Sequence, residues 1–111
     1  DPEMSRGLGD VYKRQAKDTR TLYGAEAKYL VALQWYNTGN YASAEKEILN
    51  FIDQSTPHAY WLARSFILLS DVYVAMDKKL DARQYLLSLQ QNYQADDDIA
   101  SMIDERLEKL K

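Results

Sequence analysis

Residues 32–48 read A-L-Q-W-Y-N-T-G-N-Y-A-S-A-E-K-E-I, a helix end, a break and a second helix start. The break is Asn37-Thr38-Gly39-Asn40, built from residue types that end helices and populate turns. Small residues stand on both sides of it, Ala32 on the first expected helix and Ala44 on the second, where two backbones have to approach closely. Trp35 and Tyr41 flank the turn and are placed to cover it. The stretch predicts two packed helices pinned at a tight connection, and nothing in it has the character of a catalytic group.

Working outward, the same pattern returns 38 residues later. Tyr23 falls on Trp61, Ala25 on Ala63, Leu30 on Leu68, Val31 on Leu69 and Ala32 on Ser70. Trp35 then falls on Tyr73, Ala44 on Ala82, Ile48 on Leu86, Leu49 on Leu87 and Phe51 on Leu89. Size and polarity agree where identity does not. A period of this length marks a stacked repeat architecture. The units are 18–55 and 56–93.

Each unit reads as two helices. The first begins after an N-cap at Asp18 and runs to about Thr38; the second runs over 41–54, with Ala44, Ile48, Phe51 and Ile52 on one side. In the second unit Ser55 or Thr56 is the expected cap, with Pro57 in the first helical turn, where its missing N–H is harmless. That helix extends to about Asp77, and the next covers 79–92. The chain closes on Ile99, Met102, Ile103, Arg106, Leu107 and Leu110, one narrow stripe on a helix over 97–110. Asp104, Glu105, Glu108 and Lys109 turn outward from it. A terminal helix with a polar outer face is what a repeat stack needs to end in water, so this helix is read as a C-terminal cap.

Composition narrows the function classes. The chain has 111 residues, enough for one core, and a formal charge of −3. Lys and Arg are scattered, which argues against nucleic acid, and no apolar run approaches the ~20 residues that cross a bilayer, so direct membrane insertion is not expected. There are no cysteines, which removes disulfides and thiolate metal sites. Nine tyrosines and two tryptophans, most at helical spacing, are read as fillers between helices. Residues 1–15 fit none of this. They carry two glycines, a proline and no apolar period, and are read as a non-native or disordered leader ahead of a helical domain over 16–111. Ala16-Lys17 aligns with the tail of a second helix, Gln54-Ser55, so further repeats are expected upstream.

Taken together, Ala32, Trp35, Gly39-Asn40-Tyr41, Ala44 and Ile48 in unit one, and Ser70, Tyr73, Ala82 and Leu86 in unit two, resemble the tetratricopeptide repeat. The departures are Asp77 at the turn glycine, Lys79 at the turn tyrosine, Lys28 and Phe66 where a tryptophan is usual, and a period longer than the family's ~34. The resemblance covers 16–111 and is similar to the C-terminal end of a longer bacterial protein of this kind. It implies an all-α fold of two helix-turn-helix repeats and a capping helix. It also implies a non-catalytic scaffold with no cofactor, whose concave groove takes a peptide or a partner helix.

The groove positions that the family would use are Glu26, Tyr29, Leu33, Tyr36 and Asn37, followed by Arg64, Ile67, Asp71, Val74 and Ala75. A mixed apolar and aromatic lining favours an amphipathic helix or an apolar segment. Packing of Tyr29, Leu33 and Ile67 against one another or against upstream repeats is the alternative for those three. The other functional reading is a terminal or assembly segment of a larger array, with no ligand of its own. A periplasmic or envelope location would follow from the resemblance alone, and the partner's identity from nothing in the sequence.

The chemistry that would compete with this reading is thin. His58 is the single histidine and has no converging partners. Asp96-Asp97-Asp98 lacks the alternation, glycine and closing glutamate of a calcium loop, so helix capping is the expected role. Ser70 and Asp71 are adjacent on a helix and diverge, which leaves no triad with His58. Gly7 and Gly9 lie in the leader and form no phosphate loop.

Overall fold

The computed structural model describes residues 18–111, and the expected leader over 1–15 lies outside them. Five helices make up the described chain, α1 (Leu22–Asn37), α2 (Tyr41–Asp53), α3 (Ala59–Ala75), α4 (Lys79–Asn92) and α5 (Ile99–Lys109). The fold class is all-α. α1 packs on α2 and α3 on α4, each pair joined by three residues that turn the chain back on itself. α3 also packs on both α1 and α2, and α5 on both α3 and α4. α1, α3 and α5 thus form a row of neighbours, and α2 and α4 each fill a step of it.

The two tight turns are built alike. Gly39 and Asp77, 38 residues apart, both take the left-handed conformation, at φ 80 and φ 61. Around the first, Gly39 N donates to Tyr36 O at 3.0 Å and Asn40 N to Trp35 O at 2.8 Å. Around the second, Asp77 N donates to Val74 O at 3.1 Å and Lys78 N to Tyr73 O at 2.7 Å. These bonds satisfy carbonyls that a helix end leaves open. Asp tolerates the left-handed region better than most residues, which is why the turn survives the loss of its glycine.

The starts of α1 and α3 differ from expectation. The N-cap of α1 is Thr21, whose Oγ1 accepts from Gly24 N at 2.9 Å. Asp18 instead closes a turn ahead of the helix: its carboxylate holds Arg20, and its carbonyl accepts from Thr21 N. Gly24 is required beneath that turn, because a Cβ there would lie 1.8 Å from Asp18 O. α3 begins at Ala59 rather than in the turn of Pro57, and its N-cap, His58, makes no side-chain cap bond. Thr56, an expected cap, is committed elsewhere. Its hydroxyl donates to Thr19 O at 2.6 Å and accepts from His58 N, while His58 Nε2 donates to Arg20 O at 2.9 Å. Those long-range bonds fasten the front of α1 to the α2–α3 connection.

The core has two clusters. The first gathers Ala32, Ala44, Ile48, Leu68, Leu69, Val72, Tyr73 and Ala82 from α1 to α4; the second joins Ala63, Ile67, Leu86 and Leu89 to Ile99 and Ile103 of α5. Equivalent places between the paired helices carry different chemistry. In the first pair, Lys28 Nζ lies 2.7 Å from Glu47 Oε2. In the second, those positions are Phe66 and Tyr85, whose rings lie 6.0 Å apart, with Tyr73 5.6 Å from Tyr85.

The turns give a paired test. Gly39→Ala should lower the stability by about 1–2 kcal/mol, because a Cβ is placed in the left-handed region although no neighbour crowds it. Asp77→Gly should raise it by up to about 1 kcal/mol. Urea unfolding of the two variants checks both signs.

Candidate interaction face

α1, α3 and α5 bring the expected groove residues together in two groups. The first surrounds a cleft of about 240 Å³ lined by Tyr36, Ser70, Asp71, Val74, Leu86, Arg106, Lys109 and Leu110. Asp71 receives Arg106 in bidentate fashion, from Nε at 3.0 Å and from Nη2 at 3.1 Å. Tyr36 stands over this pair and its ring meets Tyr41 at 5.7 Å. Burial raises the Tyr36 hydroxyl pKa above its ordinary value, and the Asp71 carboxylate adds to the effect. Val74 is 39% exposed at the rim, an apolar edge available to a ligand.

The second group centres on Arg64, about two turns before Asp71 on the same helix. Its guanidinium carbon lies 5.2 Å from the Tyr29 ring centre and 5.9 Å from that of Tyr60. Nη1 donates to the Tyr60 hydroxyl at 3.0 Å and Nη2 to the Tyr29 hydroxyl at 3.2 Å. Burial works against the charge, but the two tyrosines together outweigh it and the pKa is raised. Trp61 completes the cluster, with its ring 5.6 Å from Tyr29 and 5.2 Å from Tyr60. The Tyr60 hydroxyl donates to Asp98 Oδ1 at 2.9 Å.

The remaining positions separate. Ile67, 1% exposed, belongs to the second core cluster and offers no surface, so it drops out of the lining. Tyr29 is buried as well, its ring lying under the Arg64 guanidinium and its hydroxyl accepting from Arg64 Nη2. Leu33 is half-buried against the first cluster, Glu26 is half-buried on α1, and Asn37 and Ala75 are exposed at the ends of α1 and α3. A further hollow of about 360 Å³, lined by Lys28, Trp35, Ser43, Lys46, Glu47 and Asn50, contains none of the expected residues.

Arg106, Lys109 and Leu110 were not among the expected lining; α5 supplies the first two, and Leu110 is its C-cap residue. The signal was present: Arg106 interrupts the apolar stripe of α5, and a charge on an inward face implies an acidic partner on the helix it meets. Of the acidic run, Asp97 does the capping, its Oδ1 accepting from Ile99 N at 3.0 Å. Asp98, the N-cap residue, makes no such bond and turns to Tyr60 and Arg64.

Ser70 Oγ is buried and donates to Ile67 O at 2.6 Å, and His58 lies at the far side of the α3 start. Among the described residues no group of three potential metal ligands converges, and no helix is long and apolar enough to cross a membrane. No family model, curated protein or solved structure matches the chain.

The Asp71–Arg106 pair is three-quarters buried on both sides and should be energetically coupled. A double-mutant cycle with Asp71→Ala and Arg106→Ala, followed by urea unfolding, is expected to give a coupling of about 1–3 kcal/mol. A coupling near zero would show the pair to be incidental.

Tyr93 supplies a pH test at the other end of α5. Its hydroxyl donates to Asp97 Oδ2 at 2.6 Å, and burial with that carboxylate pushes its pKa up to about 12. The neutral form is favoured by folding, so its contribution is complete below the unfolded value of 10.0 and is lost as the pH climbs to about 12. Tyr93→Phe should therefore flatten part of the alkaline fall in the urea midpoint across that window.

Proposed function

We propose that this chain is a non-catalytic protein-interaction module of the tetratricopeptide kind, which holds a peptide or partner helix along the face formed by α1, α3 and α5. The observation that carries this reading is the recurrence of one turn, with its left-handed residue and matching hydrogen bonds, at a spacing of 38 residues in two successive helix pairs. The next helix, α5, is added to α3 and α4 as α3 is added to α1 and α2. Such a row leaves a continuous face, and here that face is mixed: Val74 and Leu110 are apolar, Tyr36 carries a hydroxyl and Lys109 a charge. A helix with an apolar stripe and polar flanks suits that lining.

A terminal segment of a larger array, without a ligand of its own, is the second reading. Leu22 and Tyr23, 52% and 73% exposed at the first turn of α1, favour it, because adjacent large apolar side chains in water suggest a surface meant to be covered.

Selection of displayed helical peptides on the full chain separates the two. Peptides held by the proposed face should lose about tenfold in affinity to Val74→Glu and nothing to Leu80→Glu, which alters an 80% exposed position on α4. Failure to select any peptide favours the structural segment. Equal loss in both variants would place the contact elsewhere.

A further inference from the structure

α5 is held as a ligand is held. Its stripe of Ile99, Ile103, Leu107 and Leu110 recurs at the spacing by which an amphipathic helix anchors in a groove. Ile99 and Ile103 are buried among Ala63, Ile67, Leu86 and Leu89, all supplied by α3 and α4. Those two helices are closed on each other by their own turn, so the groove has both walls without α5. Polar contacts fix α5 at its ends, Arg106 on Asp71 at one and Asp98 on Tyr60 and Arg64 at the other. Between α4 and α5 the chain is non-helical, and every residue over 94–98 is exposed.

We infer that the α3–α4 groove is an exchange site for the C-terminal helix, and that its alternative occupant is α5 of a second copy of this chain. Charge complementarity selects the occupant. Asp71 is a three-quarters buried carboxylate on the α3 wall, and a helix with a neutral residue facing it would leave that charge unpaired. The incoming helix therefore needs apolar anchors and a guanidinium seven positions after the first of them. A second copy carries this arrangement in Ile99 and Arg106. The resident helix competes, so the apparent affinity for an incoming one is reduced to the fraction of chains whose own α5 is lifted. The inference does not rest on the proposed function, since it concerns the groove beneath α5 and not the face that α5 helps to line.

The test is a fluorescently labelled peptide of residues 96–111 titrated into the full chain and its variants. Arg106→Ala in the chain weakens the resident helix and leaves the groove intact, so the peptide should bind about tenfold more tightly than to the unaltered chain. Asp71→Ala weakens resident and incoming helices alike and should give no such gain. Asp98→Asn loosens the other end without touching Asp71 and should tighten binding too; it decides the matter if the Arg106→Ala chain loses its helical circular dichroism. A chain lacking residues 94–96 has a connection too short to return α5 to its own groove, and when concentrated it should form dimers that the unlabelled peptide dissolves. Absence of peptide binding by every folded chain, or equal gains from Arg106→Ala and Asp71→Ala, would overturn the exchange site. A dimer that the peptide leaves intact, or no dimer, would overturn the second copy as its occupant.

Discussion

Two helices joined by three residues can lie side by side only where their facing residues are small. Here those residues are Ala32 and Ala44 in the first pair, and Ser70 and Ala82 in the second, all fully buried. The larger side chains of the first cluster, Ile48, Leu69 and Tyr73, interlock around that close approach. A serine in such a place carries a hydroxyl into the interior, and Ser70 discharges it locally by donating to Ile67 O. The left-handed turns at Gly39 and Asp77 answer to the same constraint, because a short connection between close helices has to reverse direction at once.

With the frame set in this way, the contacts laid on it are free to differ. Lys28 and Glu47 in the first pair form a largely buried ion pair, and their counterparts Phe66 and Tyr85 form a ring contact joined by Tyr73. An ion pair out of water gains little over a well-packed apolar pair once desolvation is counted, and aromatic contact adds to area burial. At these positions the second pair is aromatic where the first is charged. It is also the pair that carries α5.

Much of this was legible in the sequence, and the limits have physical causes. The 38-residue period, the short turns and the small residues at the crossings are local or periodic features, and they placed α2 and α4 almost to the residue. The caps of α1 and α3 were misplaced because Asp18 and Thr56 are good cap residues drawn off by other partners, Arg20 in one case and Thr19 O in the other. The second of those contacts spans 37 residues, and no local pattern announces it. Ile67 and Arg64 lie three positions apart on one helix, yet one is fully buried in the core and the other only partly buried at its edge. A stripe read at about 100° per residue cannot divide neighbours so finely when the helix is covered on several sides. The part of α5 in the cleft was hidden for a different reason: a charge within an apolar stripe states that a partner exists, but the choice of Asp71 depends on how two helices cross.

The electrostatics of the face follow from the same assembly. Asp71 and Arg106 are engaged with each other, and Arg64 is committed to two tyrosines, so the strongest charges of the region already have partners. Breaking the three-quarters buried Asp71–Arg106 pair would leave a charge unpaired. What the cleft still offers is the rim of Val74 and Leu110, the Tyr36 hydroxyl and the surface-paired Lys109. The Asp71–Arg106 pair ties α3 to α5 across the cleft that both helices line.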